Sequence, residues 1–170
     1  TIVERLKQAG RVVALDPHVD YLQDPALNQQ AYEMLSRVDY FLPSQEEVVK
    51  MCGYADMARA AKHFAGYGPE IIVIKLSEQG SLVYNSQDNS TFHIPIYPTK
   101  TVDPTGAGDS FCGGFLAGLL LTGDPVLAAC YGTVAASYVV EQVGALSLLE
   151  KDFSDAQNRL ESVSSRVTEQ

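Results

Sequence analysis

The sequence predicts an α/β fold built on a mainly parallel sheet, and three observations carry that reading. Short apolar runs alternate with stretches of helical length and pattern along most of the chain. The clearest run, Ile71 to Leu76 (IIVIKL), is apolar at nearly every position, as in a strand buried on both faces. Two Asp-Pro pairs, Asp24-Pro25 and Asp124-Pro125, set an N-cap and a first-turn proline in front of helical stretches. Alternation of this kind implies a sheet covered by helices on both faces.

The elements follow in order. Ile2, Leu6 and Ala9 share one face of an opening helix that Gly10 would close. That segment has no starting Met and reads as a helix already in progress, so the polypeptide is expected to begin earlier. Arg11 to Leu15 reads as a short buried strand, Pro25 to about Arg37 as a helix, and Tyr40 to Leu42 as a second strand. Ser44 opens a helix through about Met51, and Asp56 to Tyr67 forms another, closed near Gly68-Pro69. Gly80 to Tyr84 and Thr91 to Ile96 look like a strand pair with a turn near Asp88-Asn89. The last third is helical: Asp109 to Leu121, Pro125 to about Val140, and Ser154 to Val167, with Gly144 to Leu148 as a loop or short strand. No repeat or low-complexity linker interrupts the 170 residues, which read as one domain.

Composition narrows the function classes. Hydrophobic residues make up 46% and charged residues 19%, ordinary for a soluble globular chain. Twelve Lys and Arg against 21 Asp and Glu give a net charge of −9, which argues against nucleic acid or an anionic membrane as partner. A phosphate ligand would have to be held locally, by backbone amides or a metal. Cys52, Cys112 and Cys130 are far apart, with no Cys-x-x-Cys pair, which suits a reduced, cytoplasmic protein. The apolar run Phe115 to Leu121 falls well short of the roughly 20 residues of a membrane span.

The chemistry concentrates between Thr101 and Leu121 (TVDPTGAGDSFCGGFLAGLLL). A strand-like approach meets a Gly-x-Gly turn, and a helix follows at once. Gly106 and Gly108 lack Cβ, so a ligand can approach the backbone closely and positive φ is open at either position. The amides of Gly106, Ala107 and Gly108 then lie at a helix N-terminus, where unpaired N–H groups and the positive dipole end attract anions. A transferring phosphoryl group needs such a site for the charge on its peripheral oxygens. Asp109, in the first turn of the same helix, can accept a proton from a substrate hydroxyl. The competing reading makes Asp109 a helix-dipole residue and the glycines a tight turn. The string matches neither a Walker A loop, lacking Gly-Lys-Ser/Thr, nor a dinucleotide loop, lacking a third glycine at the required spacing.

Asp103-Pro104-Thr105-Gly106-Ala107-Gly108-Asp109, followed by Ser110-Phe111 and Gly113-Gly114-Phe115, resembles the C-terminal signature of the PfkB/ribokinase carbohydrate kinases, with Pro104 where Thr is usual. The resemblance runs in order over nearly the whole chain and corresponds to the C-terminal, ATP-binding half of a family member. It implies a ribokinase-like three-layer sandwich, present as a fragment spanning residues 1–170. It also implies Asp109 as the catalytic base, Thr105, Gly106, Ala107 and Gly108 as the ATP-phosphate and anion-hole segment, and Asp103 beside a monovalent-cation (K⁺) loop.

Further elements carry the same likeness. Ser44-Gln45-Glu46-Glu47 resembles the family's Asn-x-x-Glu element, in which Glu47 would organise Mg²⁺ through water; Ser-x-x-Glu is also a capping box, and both roles can hold together. Lys75 to Gly80 resembles the loop beside the ATP phosphates, with Ser77 where Gly is usual; Lys75 also reads as a strand-end lysine and Gly80 as the start of the next strand. Gly132 to Gly144 resembles the adenine-side helix and turn, giving ATP-binding roles to Gly132, Ala136 and Gly144, with Ala145 completing the turn; small residues there also suit close helix packing. Asp16 to Asp20 resembles a loop near the phosphate site, and only Asp16 carries over. His18 reads as a loop histidine, and His63 and His93 lack metal-ligand spacing.

The reading implied is ATP-dependent phosphorylation of a hydroxyl on a sugar or related polyol, with ATP and Mg²⁺ as cofactors and with K⁺ admitted. Neither nucleic acid nor membrane is a partner, and the longer family architecture admits a homodimer. The sugar-binding and lid segments of the family precede the part seen here, so the fragment alone is expected to be inactive. A nucleoside kinase of the same family and a non-catalytic nucleotide-binding remnant are the alternatives.

Overall fold

The computed structural model of the chain describes residues 2–18, 20–144 and 152–170. It separates into two compact units, one formed by Thr1–Ser77 with Leu82–Thr91, the other by Glu78–Ser81 with Phe92–Gln170.

The first unit carries helices α1 (Ile2–Gln8), α2 (Pro25–Leu35), α3 (Gln45–Cys52) and α4 (Met57–Ala65), and strands β1 (Ala14–Leu15), β2 (Tyr40–Phe41), β3 (Ile71–Lys75) and most of β4 (Ser81–Asn85). Its strands are hydrogen-bonded in the order β1-β2-β3-β4. β1, β2 and β3 run parallel, with Ala14 opposite Tyr40 and Phe41 opposite Ile72. The first four residues of β3 are buried, as a β-branched run with no polar face requires. Leu35, Phe41, Val48, Phe64, Ile72 and Ile74 form the centre of this core. Asp24 caps α2 by accepting the Ala26 N–H, and Asp56 caps α4 by accepting the Arg59 N–H. Asn89 takes φ 59°, and the Asn85 N–H donates to the Ser90 carbonyl across the expected turn.

The second unit carries β5 (Thr91–Ile94, save its first residue), α5 (Ala107–Thr122), α6 (Pro125–Val139), α7 (Phe153–Ser164) and β6 (Thr168–Glu169). β6 pairs antiparallel with β5, His93 opposite Thr168. α5 and α6 pack at close range through small residues: a Cβ added at Gly114 would come within 2.8 Å of the Tyr131 carbonyl oxygen, and one at Gly132 within 2.8 Å of the Phe111 carbonyl oxygen. Asp124 accepts N–H bonds from Val126 and Leu127 with Pro125 behind it, the start expected for α6.

Several expectations are adjusted. β1 covers two residues instead of five, because Arg11 to Val13 precede the ladder; only the Val13 carbonyl and N–H reach Asp39 and Tyr40. α5 starts at Ala107, two residues earlier than expected, and its approach is irregular instead of strand-like. The apolar residues of α1 are not packed away: Ile2 and Leu6 are exposed. The strand β6 was not expected. Ala145 to Leu148, read as a loop or short strand, lie outside the described residues, as do Thr1 and Val19.

Candidate active site

The irregular segment 95–106 delivers the chain to α5, and its anchors lie just after α6 and on α7. The N–H groups of Val102 and Asp103 both donate to the Val140 carbonyl, at 2.7 and 3.2 Å. The Asp103 carboxylate then accepts the Thr105 N–H at 2.9 Å. Main-chain and hydroxyl hydrogen bonds from Thr105, joined by the Gly144 N–H, hold the Asp103 carboxyl below its usual range. Of the two glycines where a left-handed backbone was open, Gly106 alone adopts it, with φ 81°; Gly108 is the second residue of α5 and helical. A side chain at Gly106 would be strained.

Gly106 is the N-cap of α5, and no side chain caps that helix. The first N–H groups of a helix have no intrahelical partner, so their fate decides what the terminus can bind. Ala107 donates to the Pro104 carbonyl at 3.1 Å, which removes one donor from the expected Gly106–Ala107–Gly108 set. Among the described residues the N–H groups of Gly106, Gly108 and Asp109 have no backbone partner. The Asp109 amide was not expected in this group; as the third residue of α5 it has no carbonyl one turn back within the helix to accept it. The Asp109 side chain is exposed in the first turn of α5, with no hydrogen bond or ion pair to another described residue. Three donors and an exposed carboxylate therefore share one turn of backbone.

In the same unit, Gly132 lies buried on α6 against Phe111, Ala136 is half-buried on α6 with its carbonyl accepting the Val140 N–H, and Gly144 is exposed with φ 90°. Gly80 precedes β4, where a Cβ would fall 2.0 Å from the Ile94 carbonyl oxygen, so backbone approach alone accounts for a glycine there. Ala145 lies outside the described residues.

In the first unit, Ser44 and Glu47 form a complete capping box. The Ser44 hydroxyl accepts the Glu47 N–H at 3.3 Å, and Glu47 Oε2 accepts the Ser44 N–H at 2.6 Å and its hydroxyl at 2.7 Å. Glu47 is 7% exposed, and its other oxygen, Oε1, has no hydrogen-bond partner among the described residues. That arrangement fits a metal contacted through water by one oxygen. It does not fit a protein-built cage: no group of three or more His, Cys, Asp or Glu among the described residues could hold an ion. Lys75 pairs with Asp16, Nζ to Oδ1 at 2.7 Å, so its charge is already partly compensated. Ser77 takes φ 57°, the left-handed region that explains why glycine suits this position.

The model of the pfkB family carbohydrate kinases matches residues 2–152. The chain belongs to that family. Among curated relatives it is 36% identical over 118 residues to a cytidine kinase of Thermococcus kodakarensis, covering 69% of this chain and 42% of the relative. It is 31% identical over 128 residues to a ribokinase of Staphylococcus aureus, covering 70% of this chain and 41% of the relative. Among solved structures, a candidate ribokinase II of E. coli in complex with ATP and Mg²⁺ superposes with a TM-score of 0.81 at 27% identity, over 94% of this chain and 52% of that one. The fold is therefore the ribokinase-like α/β fold, and the chain spans about half the length of the relatives it matches. No helix among the described residues is long and apolar enough to cross a membrane.

Proposed function

We propose that this pfkB-family chain carries the phosphate-binding and proton-accepting segment of an ATP-dependent kinase whose acceptor is a hydroxyl of a sugar or related polyol. The observation that carries the reading is the start of α5: a left-handed glycine N-cap, donors left over at Gly106, Gly108 and Asp109, and the exposed Asp109 carboxylate in the first turn. In the reaction Asp109 takes the proton of the acceptor hydroxyl. The resulting oxygen nucleophile forms a bond to the γ-phosphorus while the bond to the β-phosphate oxygen breaks, and ADP leaves. The three N–H donors stabilise the charge carried by the peripheral oxygens of the group in transfer. Mg²⁺, if bound with ATP, would supply charge neutralisation, and Glu47 would hold it through a water at Oε1. Asp103, with Thr105 and Gly144 around it, would stand beside a monovalent cation such as K⁺.

A nucleoside acceptor is the second reading, favoured by the 36% identity to a cytidine kinase. Both acceptors present a hydroxymethyl group to the same base, so the phosphate chemistry is unchanged.

The test is titration of MgATP against the parent chain, Gly108→Val and Lys75→Ala by calorimetry at one salt concentration. Gly108 is helical, so valine there strains no left-handed backbone and its effect reports on ligand approach. The expected order is loss of binding in Gly108→Val and a smaller weakening in Lys75→Ala, whose charge is shared with Asp16. If Gly108→Val binds ATP like the parent, the segment is an ordinary turn.

A further inference from the structure

α7 brings one arginine into the interior of the second unit, where the proposed chemistry has no use for it. Arg159 is 8% exposed. Its Nη1 donates to Glu141 Oε1 at 2.7 Å and to the Ser137 hydroxyl at 3.0 Å, and its Nε donates to Asp155 Oδ2 at 3.0 Å. The guanidinium also lies over the Tyr138 ring at 3.8 Å and the Tyr97 ring at 4.6 Å. Asp155 is tied again by the Tyr138 hydroxyl at 2.5 Å. Burial opposes the arginine's charge, and the Glu141 hydrogen bond and charge, with Tyr138 and Asp155, together more than offset it, holding its pKa above the ordinary value.

What these contacts hold is the segment that leads into α5. Tyr97 belongs to it, and the Thr99 hydroxyl donates to the same Glu141 Oε1 at 2.7 Å. Glu141 follows directly on Val140, whose carbonyl receives the Val102 and Asp103 N–H groups. Residues 95–106 contain no regular structure, so their conformation is set by such anchors instead of by a helix or sheet ladder. We propose that Arg159 and Glu141 form a positioning clamp, fixing Tyr97, Thr99 and the Val102–Asp103 backbone so that the Gly106–Asp109 donors stay in their binding arrangement. The clamp touches neither phosphate nor acceptor. It acts by keeping the binding-competent loop dominant, and ligand affinity falls in proportion to the fraction of molecules that hold that loop. The role in ligand binding rests on the phosphate-site reading above; the ordering of the loop does not.

Two measurements on the 170-residue chain separate those layers: amide hydrogen exchange without ligand, and calorimetric titration with MgATP. Thr99→Val removes one arm without creating a buried charge, and Glu141→Gln weakens the centre. In both, the Val102 and Asp103 amides should exchange about tenfold faster or more, while amides within α6 and α7 stay near parental rates, and the ATP dissociation constant should rise by about the same factor. Unchanged exchange at Val102 and Asp103 overturns the clamp. So does an acceleration spread evenly through α6 and α7, which would mark a general loss of stability. Faster loop exchange with unchanged ATP affinity also overturns it as a positioning device. A parent chain that does not bind ATP defeats the phosphate-site reading, and the clamp is then decided by exchange alone.

Discussion

The N-termini of α3 and α5 start from the same physical problem and resolve it in opposite ways. Each exposes donors with no intrahelical partner. At α3, Ser44 and Glu47 satisfy one another's main-chain N–H groups, and the terminus is closed. At α5, a left-handed glycine stands where a capping side chain would be, and the N–H groups of Gly106, Gly108 and Asp109 have no backbone partner among the described residues. The other side-chain-capped helices, α2, α4, α6 and α7, follow α3, each with an Asp at the N-cap. The contrast teaches that one capping device closes a terminus while its absence leaves donors open at another, and the proposed phosphate site rests on that open terminus.

The largest effect expected from this contrast is chemical. In an active kinase that contains this chain, Asp109→Asn should lower turnover at least about a hundredfold with ATP affinity near that of the parent, the usual size of a general-base contribution. Steady-state rates of ADP formation at saturating ATP measure it, and a near-parental rate removes Asp109 from the mechanism. A smaller effect is expected at the closed terminus. Ser44→Ala deletes the hydroxyl that both accepts the Glu47 N–H and donates to its carboxylate, and should destabilise the chain by about 1 kcal/mol. Chemical denaturation reads this directly; an unchanged midpoint would mean the α3 cap is no more than decorative and the comparison loses one side. The smallest effect concerns acid. The folded-state pKa of Asp103 lies below its unfolded value, so its contribution is present above about pH 4, the ordinary Asp value, and fades as pH falls through the lower folded value. The parent should therefore lose thermal stability below pH 4 more steeply than Asp103→Asn. Parallel melting curves at pH 7, 4 and 3 would refute this ordering of the loop.

Much of this was legible in the sequence, for reasons that are local. Ser44 and Glu47 announce a capping box by spacing alone, Asp24-Pro25 and Asp124-Pro125 announce helix starts, and the IIVIK run announces a buried strand. The Asp103–Asp109 string pointed to the family that the comparisons show. What the sequence concealed depends on tertiary partners. Thr168-Glu169 is polar and exposed and becomes a strand only because β5 lies beside it. Arg159, one charge on an amphipathic helix, reads as surface, and nothing near it in sequence reveals the Glu141 carboxylate and two tyrosine rings that receive it. The start of α5 was misplaced by two residues because apolar periodicity locates the packed face of a helix and not its first hydrogen bond.

The crossing of α5 and α6 has a consequence for how this sequence can drift. Phe111, whose carbonyl oxygen and ring set the limit on any side chain at residue 132, stands two positions after Asp109 on the same helix. A substitution that enlarged Gly114 or Gly132 would push on the helix that bears the proposed base. Packing changes at residues 114 and 132 would thus be felt by α5 even where the residues of the proposed site are untouched. Selection for foldability alone would retain these glycines, and with them the course of α5 against α6, whatever selection acts on Asp109.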